Sequence, residues 1–151
     1  MDIGSADPAT ALRRVGLRVT ASRLAVFTAL TAGAPHSSVD AVVSAVREHL
    51  GDGSAQTVYN VLRTFTDAGL VRRIEPAGRP GLYELRVGDN HHHVVCRQCD
   101  AIADVACAVG DTPCLTAADD SGYQIDEAEV IYWGRCPECQ DIAREEKERR
   151  V

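Results

Sequence analysis

Apolar residues recur at helical spacing three times in the first 65 positions. Leu24, Phe27 and Leu30 form one stripe, Val39, Val42, Val43 and Val46 a second, and Val58, Val61, Leu62 and Phe65 a third. Each stripe has its own punctuation. Thr20 is placed to cap the first helix, Ser37 or Ser38 the second and Ser54 the third, while Gly33 with Pro35 and then Gly51-Asp52-Gly53 break the chain between them. After Gly69 the pattern changes: Leu70–Ile74 and Leu82–Leu85 read as strands, separated by the turn-forming stretch Glu75–Gly81. Three helices followed by a hairpin predict a winged helix-turn-helix, whose third helix enters the major groove. Here the polar face of that helix carries Gln56, Tyr59, Asn60 and Arg63. Arg18, Arg23, Arg63, Arg72, Arg73 and Arg79 lie where phosphate or minor-groove contacts are expected in such a fold. A polar face with one arginine is equally what any solvated helix presents, so the pattern alone leaves DNA contact open.

The second half is shorter and less periodic. Val94–Cys96, Ala101–Val105 and Glu129–Gly134 read as strands, Leu115–Ser121 as a weak helix, and the charged tail Asp141–Arg150 as a terminal helix. Val87–Asn90 is the expected hinge. The predicted organisation is α+β: a winged-helix DNA-binding domain over 1–86, a hinge over 87–90, and over 91–151 a small α/β dimerisation and metal-binding domain with an antiparallel three-stranded sheet and a four-cysteine zinc site.

Charge sharpens this division. Residues 1–86 carry 10 Lys+Arg and 8 Asp+Glu, a net of +2, whereas residues 87–151 carry 6 and 14, a net of −8, giving −6 for the chain. Nucleic-acid binding depends on the local footprint and not on the total, so the acidic sum does not exclude it. With 151 residues and no apolar run approaching the ~18 of a membrane span, the chain is expected to be cytoplasmic, with no membrane partner. In that reducing compartment six cysteines point to metal ligands or redox thiols more than to disulfides.

Two CxxC knuckles, Cys96 with Cys99 and Cys136 with Cys139, each offer two thiolates to one tetrahedral Zn²⁺. Four thiolates close the coordination sphere, so the site is expected to be structural. Cys107 and Cys114 match no zinc knuckle and are read as unligated thiols or, alternatively, a redox pair. Immediately before the first knuckle stands His91-His92-His93. On a strand, His91 and His93 share one face and His92 takes the other, so the alternating pair can ligate one ion. Glu84 and Asp104 are the neighbouring carboxylates, and imidazole with carboxylate suits Fe²⁺, Mn²⁺ or Zn²⁺.

Taken together, Gln56-Thr57-Val58-Tyr59, His91-His92-His93-Val94-Val95-Cys96-Arg97-Gln98-Cys99 and Cys136-Pro137-Glu138-Cys139 resemble the ferric uptake regulator family of metal-responsive repressors, over roughly Ala11 to Gln140. Gly88–His93 and Cys107–Thr116 resemble its actinobacterial ferric uptake regulator A branch, which implies control of iron and oxidative-stress genes such as catalase-peroxidase. The resemblance implies a homodimer on a double-stranded operator, with Cys96, Cys99, Cys136 and Cys139 holding structural zinc. It assigns His36, Glu84, His91, His93 and Asp104 to a regulatory Fe²⁺ or Mn²⁺, with Zn²⁺ as a substitute in vitro. For DNA it implies base contact by Tyr59 and minor-groove contact by Arg18, and it groups Arg23, Gln56, Thr57, Asn60 and Arg63 with them. Asn60 stands where the family commonly has arginine, Glu84 where its peroxide sensors often have aspartate, and Asn90, His92, Asp111 and Ala128 at the positions of a further metal site in some members.

The expected activity is therefore metal-dependent repression without enzymatic turnover or a small-molecule substrate. Within the family, the alternatives are a peroxide-, thiol- or zinc-sensing repressor. From other classes, a non-haem iron oxygenase would need a substrate-enclosing scaffold that the second half is too short to build, and a thiol oxidoreductase a thioredoxin-like β-α-β pattern.

Overall fold

The computed structural model describes residues 7–85, 89–107 and 115–150. The chain divides into two units, 1–88 and 89–151.

The first unit begins with α1 (Pro8–Arg14), which the apolar pattern did not reveal. Asp7 caps it, accepting from the Thr10 N–H at 3.0 Å, and Pro8 opens it where a missing N–H costs nothing. The three expected helices follow: α2 (Ala21–Ala32), α3 (Val39–Leu50) and α4 (Ala55–Asp67). Their N-caps Thr20, Ser38 and Ser54 accept from the N–H groups of Arg23, Ala41 and Thr57. Gly51 ends α3 with φ of 71°, a left-handed conformation that glycine adopts without a Cβ penalty. Two residues later Gly53 passes so close that a Cβ would lie 2.9 Å from Cγ1 of Val46, so the turn into α4 needs a glycine there as well.

All three predicted stripes face one core. Val26, Phe27, Leu30, Val42, Val46, Val58, Leu62 and Phe65 are buried together with Leu12 and Leu70. Phe27 meets Phe65 edge-on, with ring centroids 6.4 Å apart. A small antiparallel sheet closes the unit in the order β1 (Ser37–Ser38), β3 (Leu82–Glu84), β2 (Arg72–Ile74). The hairpin strands are shorter than expected, and β1 adds a third strand in the chain entering α3.

In the second unit, β4 (His91–Cys96) is central, flanked by β5 (Ile102–Ala106) and β6 (Ile131–Gly134), and α5 (Pro137–Glu148) follows. β5 runs antiparallel to β4, but β6 runs parallel to it, with Val94 opposite Tyr132 and Cys96 opposite Gly134. The sheet is three-stranded as expected but mixed, which corrects the expectation of an antiparallel one. A tight turn over 97–101 joins the antiparallel β4 and β5; β5 thereby returns the chain to the end where β4 begins, so β6, on the other edge of β4, runs parallel to it. No helix forms at 115–121, where bends and a turn occupy the chain. Asp111, Cys114 and hinge residues 87 and 88 lie outside the described residues.

This unit buries little apolar surface: among its described residues only Val95, Cys96 and Cys139 are buried hydrophobics. Leu115, Tyr123, Ile125, Tyr132 and Ile142 are exposed. Among the described residues no helix is long and apolar enough to cross a membrane.

Candidate metal centres and nucleic-acid interface

The first knuckle is a turn built by backbone hydrogen bonds. The Cys96 N–H donates to the carbonyl of Ala101 at 2.8 Å and the Asp100 N–H to the carbonyl of Cys96 at 3.1 Å, with Asp100 at φ 63°. The second knuckle begins α5: Cys136 is its N-cap, Pro137 follows, and Cys139 lies in its first turn. The two are tied together, since the Arg97 N–H donates to the Gly134 carbonyl at 2.8 Å and the Arg97 guanidinium lies 5.2 Å from the Trp133 ring centroid.

All four sulfurs lie within 4.8 Å of one another, and those of Cys99 and Cys136 are 3.6 Å apart. A tetrahedron with Zn–S bonds of 2.3 Å has S···S edges of about 3.8 Å. The donor set thus fits a closed zinc site. Its electrostatics point the same way. The N–H groups of Cys136 and Gln98 approach the Cys96 sulfur at 3.3 and 3.4 Å, and such backbone donors, Cys136 first, hold its thiol down to about 6. Cys139 is pushed up to about 12, chiefly by hydrogen bonding with Cys136 and Cys99 and by burial. One thiolate forms readily but four cannot coexist without a cation to balance them.

Each unit also carries a cluster of imidazole and carboxylate. In the first, the β1–β3 register pairs Ser37 with Tyr83, which sets His36 opposite Glu84; His36 Nε2 lies 3.3 Å from Glu84 Oε2, and both side chains are buried. In the second, His93 pairs with Asp104 across β4 and β5, and His91 precedes it by two on the same face. Their Nε2 atoms lie 3.7 and 4.0 Å from the same Asp104 oxygen, and their rings are 4.8 Å apart. These separations exceed hydrogen-bond reach and lie a few tenths of an ångström beyond the ~3.0–3.4 Å donor–donor edges of a polyhedron with metal–ligand bonds of about 2.1 Å. His92 takes the opposite face, its ring 6.5 Å from that of Tyr132.

The residue that sequence reasoning missed is Asp89. Its Oδ1 accepts from His91 Nδ1 at 2.6 Å. That bond puts the ring proton on Nδ1 and leaves the Nε2 lone pair for a metal. The available signal was a carboxylate two positions before His91, but it fell in a stretch read as hinge. Cys107 is half-buried, and Cys114 falls outside the described residues.

The expected DNA-contacting residues all lie on the first unit. Gln56, Thr57, Tyr59, Asn60 and Arg63 are exposed along α4, whose other face is buried through Val58, Val61 and Leu62. Arg18 is exposed in the turn before α2, and Arg23 donates from its guanidinium to the Arg18 carbonyl at 2.8 Å. Arg18, Arg23, Thr57, Asn60 and Thr64 line one groove between α2 and α4. An arginine-bordered groove beside a polar helix face offers donors to phosphate and amides to base edges.

The ferric uptake regulator family model matches residues 14–133. The chain is 60% identical over 131 residues to ferric uptake regulation protein 1 of Mycolicibacterium fortuitum, covering 87% of this chain and 81% of that one. It is 57% identical over 133 residues to the transcriptional regulator FurA of Mycobacterium tuberculosis, covering 88% and 90%. The structure of the ferric uptake regulator from Pseudomonas aeruginosa with manganese matches with a TM-score of 0.65 at 26% identity, over 87% of this chain and 99% of that chain.

Proposed function

The chain belongs to the ferric uptake regulator family, and from that premise we propose that it is a homodimeric, metal-activated repressor of iron and oxidative-stress genes, catalase-peroxidase among them. It is a transcriptional regulator of the FurA-like type and not an enzyme. The proposed regulatory metal is Fe²⁺ or Mn²⁺, held by His36 and Glu84 from the first unit and by His91, His93 and Asp104 from the second. Zinc at Cys96, Cys99, Cys136 and Cys139 is structural.

The observation that carries this reading is the convergence of His91 and His93 on one oxygen of Asp104, at 4.0 and 3.7 Å, with the tautomer of His91 set for ligation by Asp89. Manganese in the similar Pseudomonas aeruginosa regulator supports the choice of ion. A bound divalent ion supplies two positive charges that offset the carboxylates of Glu84 and Asp104. Metal binding then favours the DNA-binding form of the homodimer, in which two copies match two half-sites. By linkage, a coupling of about 2–3 kcal/mol changes DNA affinity by roughly 30- to 150-fold, and DNA tightens metal binding by the same factor. The exposed Leu115, Tyr123, Ile125 and Tyr132 of the second unit support a homodimer, because apolar side chains of that size are usually covered at interfaces.

The test is anaerobic binding of the zinc-loaded protein to duplex from its own upstream region at fixed salt, titrated with Mn²⁺ or Fe²⁺. Binding that tightens with metal in the wild type, and not in His93→Ala or Glu84→Ala, is the expected result. Equal affinity with and without metal overturns the reading.

A further inference from the structure

Gln56 and Asn60 lie one turn apart on α4, both exposed, and Nε2 of Gln56 donates to Oδ1 of Asn60 at 3.0 Å. We infer that this amide couple acts as one base-reading unit for adenine in an A·T pair of the operator. The inference rests on the DNA-binding reading above.

The hydrogen-bond inventory supports the assignment. The internal bond uses one of the two Nε2 hydrogens of Gln56 and one lone-pair direction of Asn60 Oδ1; the Gln56 Oε1 acceptor and the Asn60 Nδ2 donors remain on adjacent turns, with the second Nε2 hydrogen of Gln56 beside them. Adenine presents N7 as acceptor and N6 as donor in the major groove, which is the complement of that pair. Guanine offers N7 and O6, two acceptors, so Gln56 Oε1 would face another acceptor. Thymine offers O4 beside a methyl group, and cytosine a single donor. The couple satisfies both groups of adenine and leaves an unmet or repelled group with each other base.

Position and rigidity agree with this role. Recognition helices present the residues of their N-terminal turns to base edges, and Gln56 and Asn60 occupy the first two turns of α4. That end is held in place, since Ser54 caps the Thr57 N–H at 3.1 Å and its hydroxyl lies 2.8 Å from that of Thr57. A side-chain pair already hydrogen-bonded loses less rotamer freedom on binding than two free amides.

The experiment is selection from a pool of duplexes with a randomised core, using the full zinc-loaded chain with Mn²⁺, for wild type, Gln56→Ala, Asn60→Ala and Asn60→Arg. The wild type is expected to enrich an A·T pair at one position per half-site. Both alanine variants should relax that same position by roughly 5- to 150-fold, the range of one bidentate contact, while keeping the salt dependence that reports phosphate contacts. Asn60→Arg should move the preference there to G·C. Circular dichroism and melting temperature identify any variant that has lost its fold, and the remaining two still decide the question. If the variants enrich the same sequence as the wild type, or if Gln56→Ala and Asn60→Ala relax different positions, the coupled unit is wrong and the repressor reading stands. If the wild type enriches nothing, the repressor reading fails and this inference with it.

Discussion

Asp89 Oδ1 accepts a 2.6 Å hydrogen bond from Nδ1 of the buried His91, the first residue of β4, two positions further along the chain. The carboxylate thereby determines which nitrogen of the ring is free to ligate. Groups that orient a ligating histidine in this way typically account for 10- to 100-fold in metal affinity. Asp89→Ala is accordingly expected to weaken Mn²⁺ binding by about that factor, with zinc content unchanged. Nitrogen chemical shifts of His91 in the zinc-loaded protein without Mn²⁺ should show protonated Nδ1 in the wild type and a tautomer mixture in the variant. Equal Mn²⁺ affinity of the two proteins would remove Asp89 from the site.

Zinc removal should act on the second unit first. Its described buried apolar side chains are Val95, Cys96 and Cys139 alone, whereas the first unit has Phe27, Leu62, Phe65 and their neighbours. A unit with so little core relies on its metal for stability. Chelation is expected to lower hydrogen-exchange protection in β4, β5 and β6 while leaving that of α2, α3 and α4 unchanged. Uniform loss across both units would show that they unfold as one.

The thiols give the zinc-free protein a defined pH response. Cys96 titrates at about 6 against 9.0 for an ordinary thiol. Its lowered value contributes stability that is full above pH 9 and is lost as pH falls toward 6. Cys139, raised to about 12, does the reverse: its contribution is full below pH 9 and is lost as pH rises toward 12. Thiolate absorbance of zinc-free protein should therefore show a first thiolate near pH 6, absent from Cys96→Ser, and a last one far into alkali. Four thiols ionising together near pH 9 would contradict the arrangement.

Stability and DNA contact should separate on opposite faces of α4. Phe65 is fully buried against Phe27, so Phe65→Ala should cost about 3–5 kcal/mol in a denaturant titration. Arg63 is exposed, and Arg63→Ala should change stability by no more than about 0.5 kcal/mol while reducing the salt slope of DNA binding. A large stability loss in Arg63→Ala would place that residue in the fold instead of the interface.

The amino-acid sequence by itself determined α2, α3 and α4 with the caps Thr20 and Ser54, because a helix writes its buried face and its ends into consecutive residues, while the structure chose Ser38 over Ser37 as the cap of α3. It also determined the zinc knuckles, since two thiols three positions apart are a local geometry. The short α1 was less legible, having only Ala11 and Leu12 to bury. Only the tertiary structure decided the direction of β6, because residues on a strand look alike whether the neighbour runs parallel or antiparallel and the choice rests with which edge of the sheet the strand joins. It also decided that His36 faces Glu84, through the pairing of the two-residue β1 with β3, and that Asp89 reaches His91. Those relationships depend on register and side-chain direction across separate segments, which no local periodicity records.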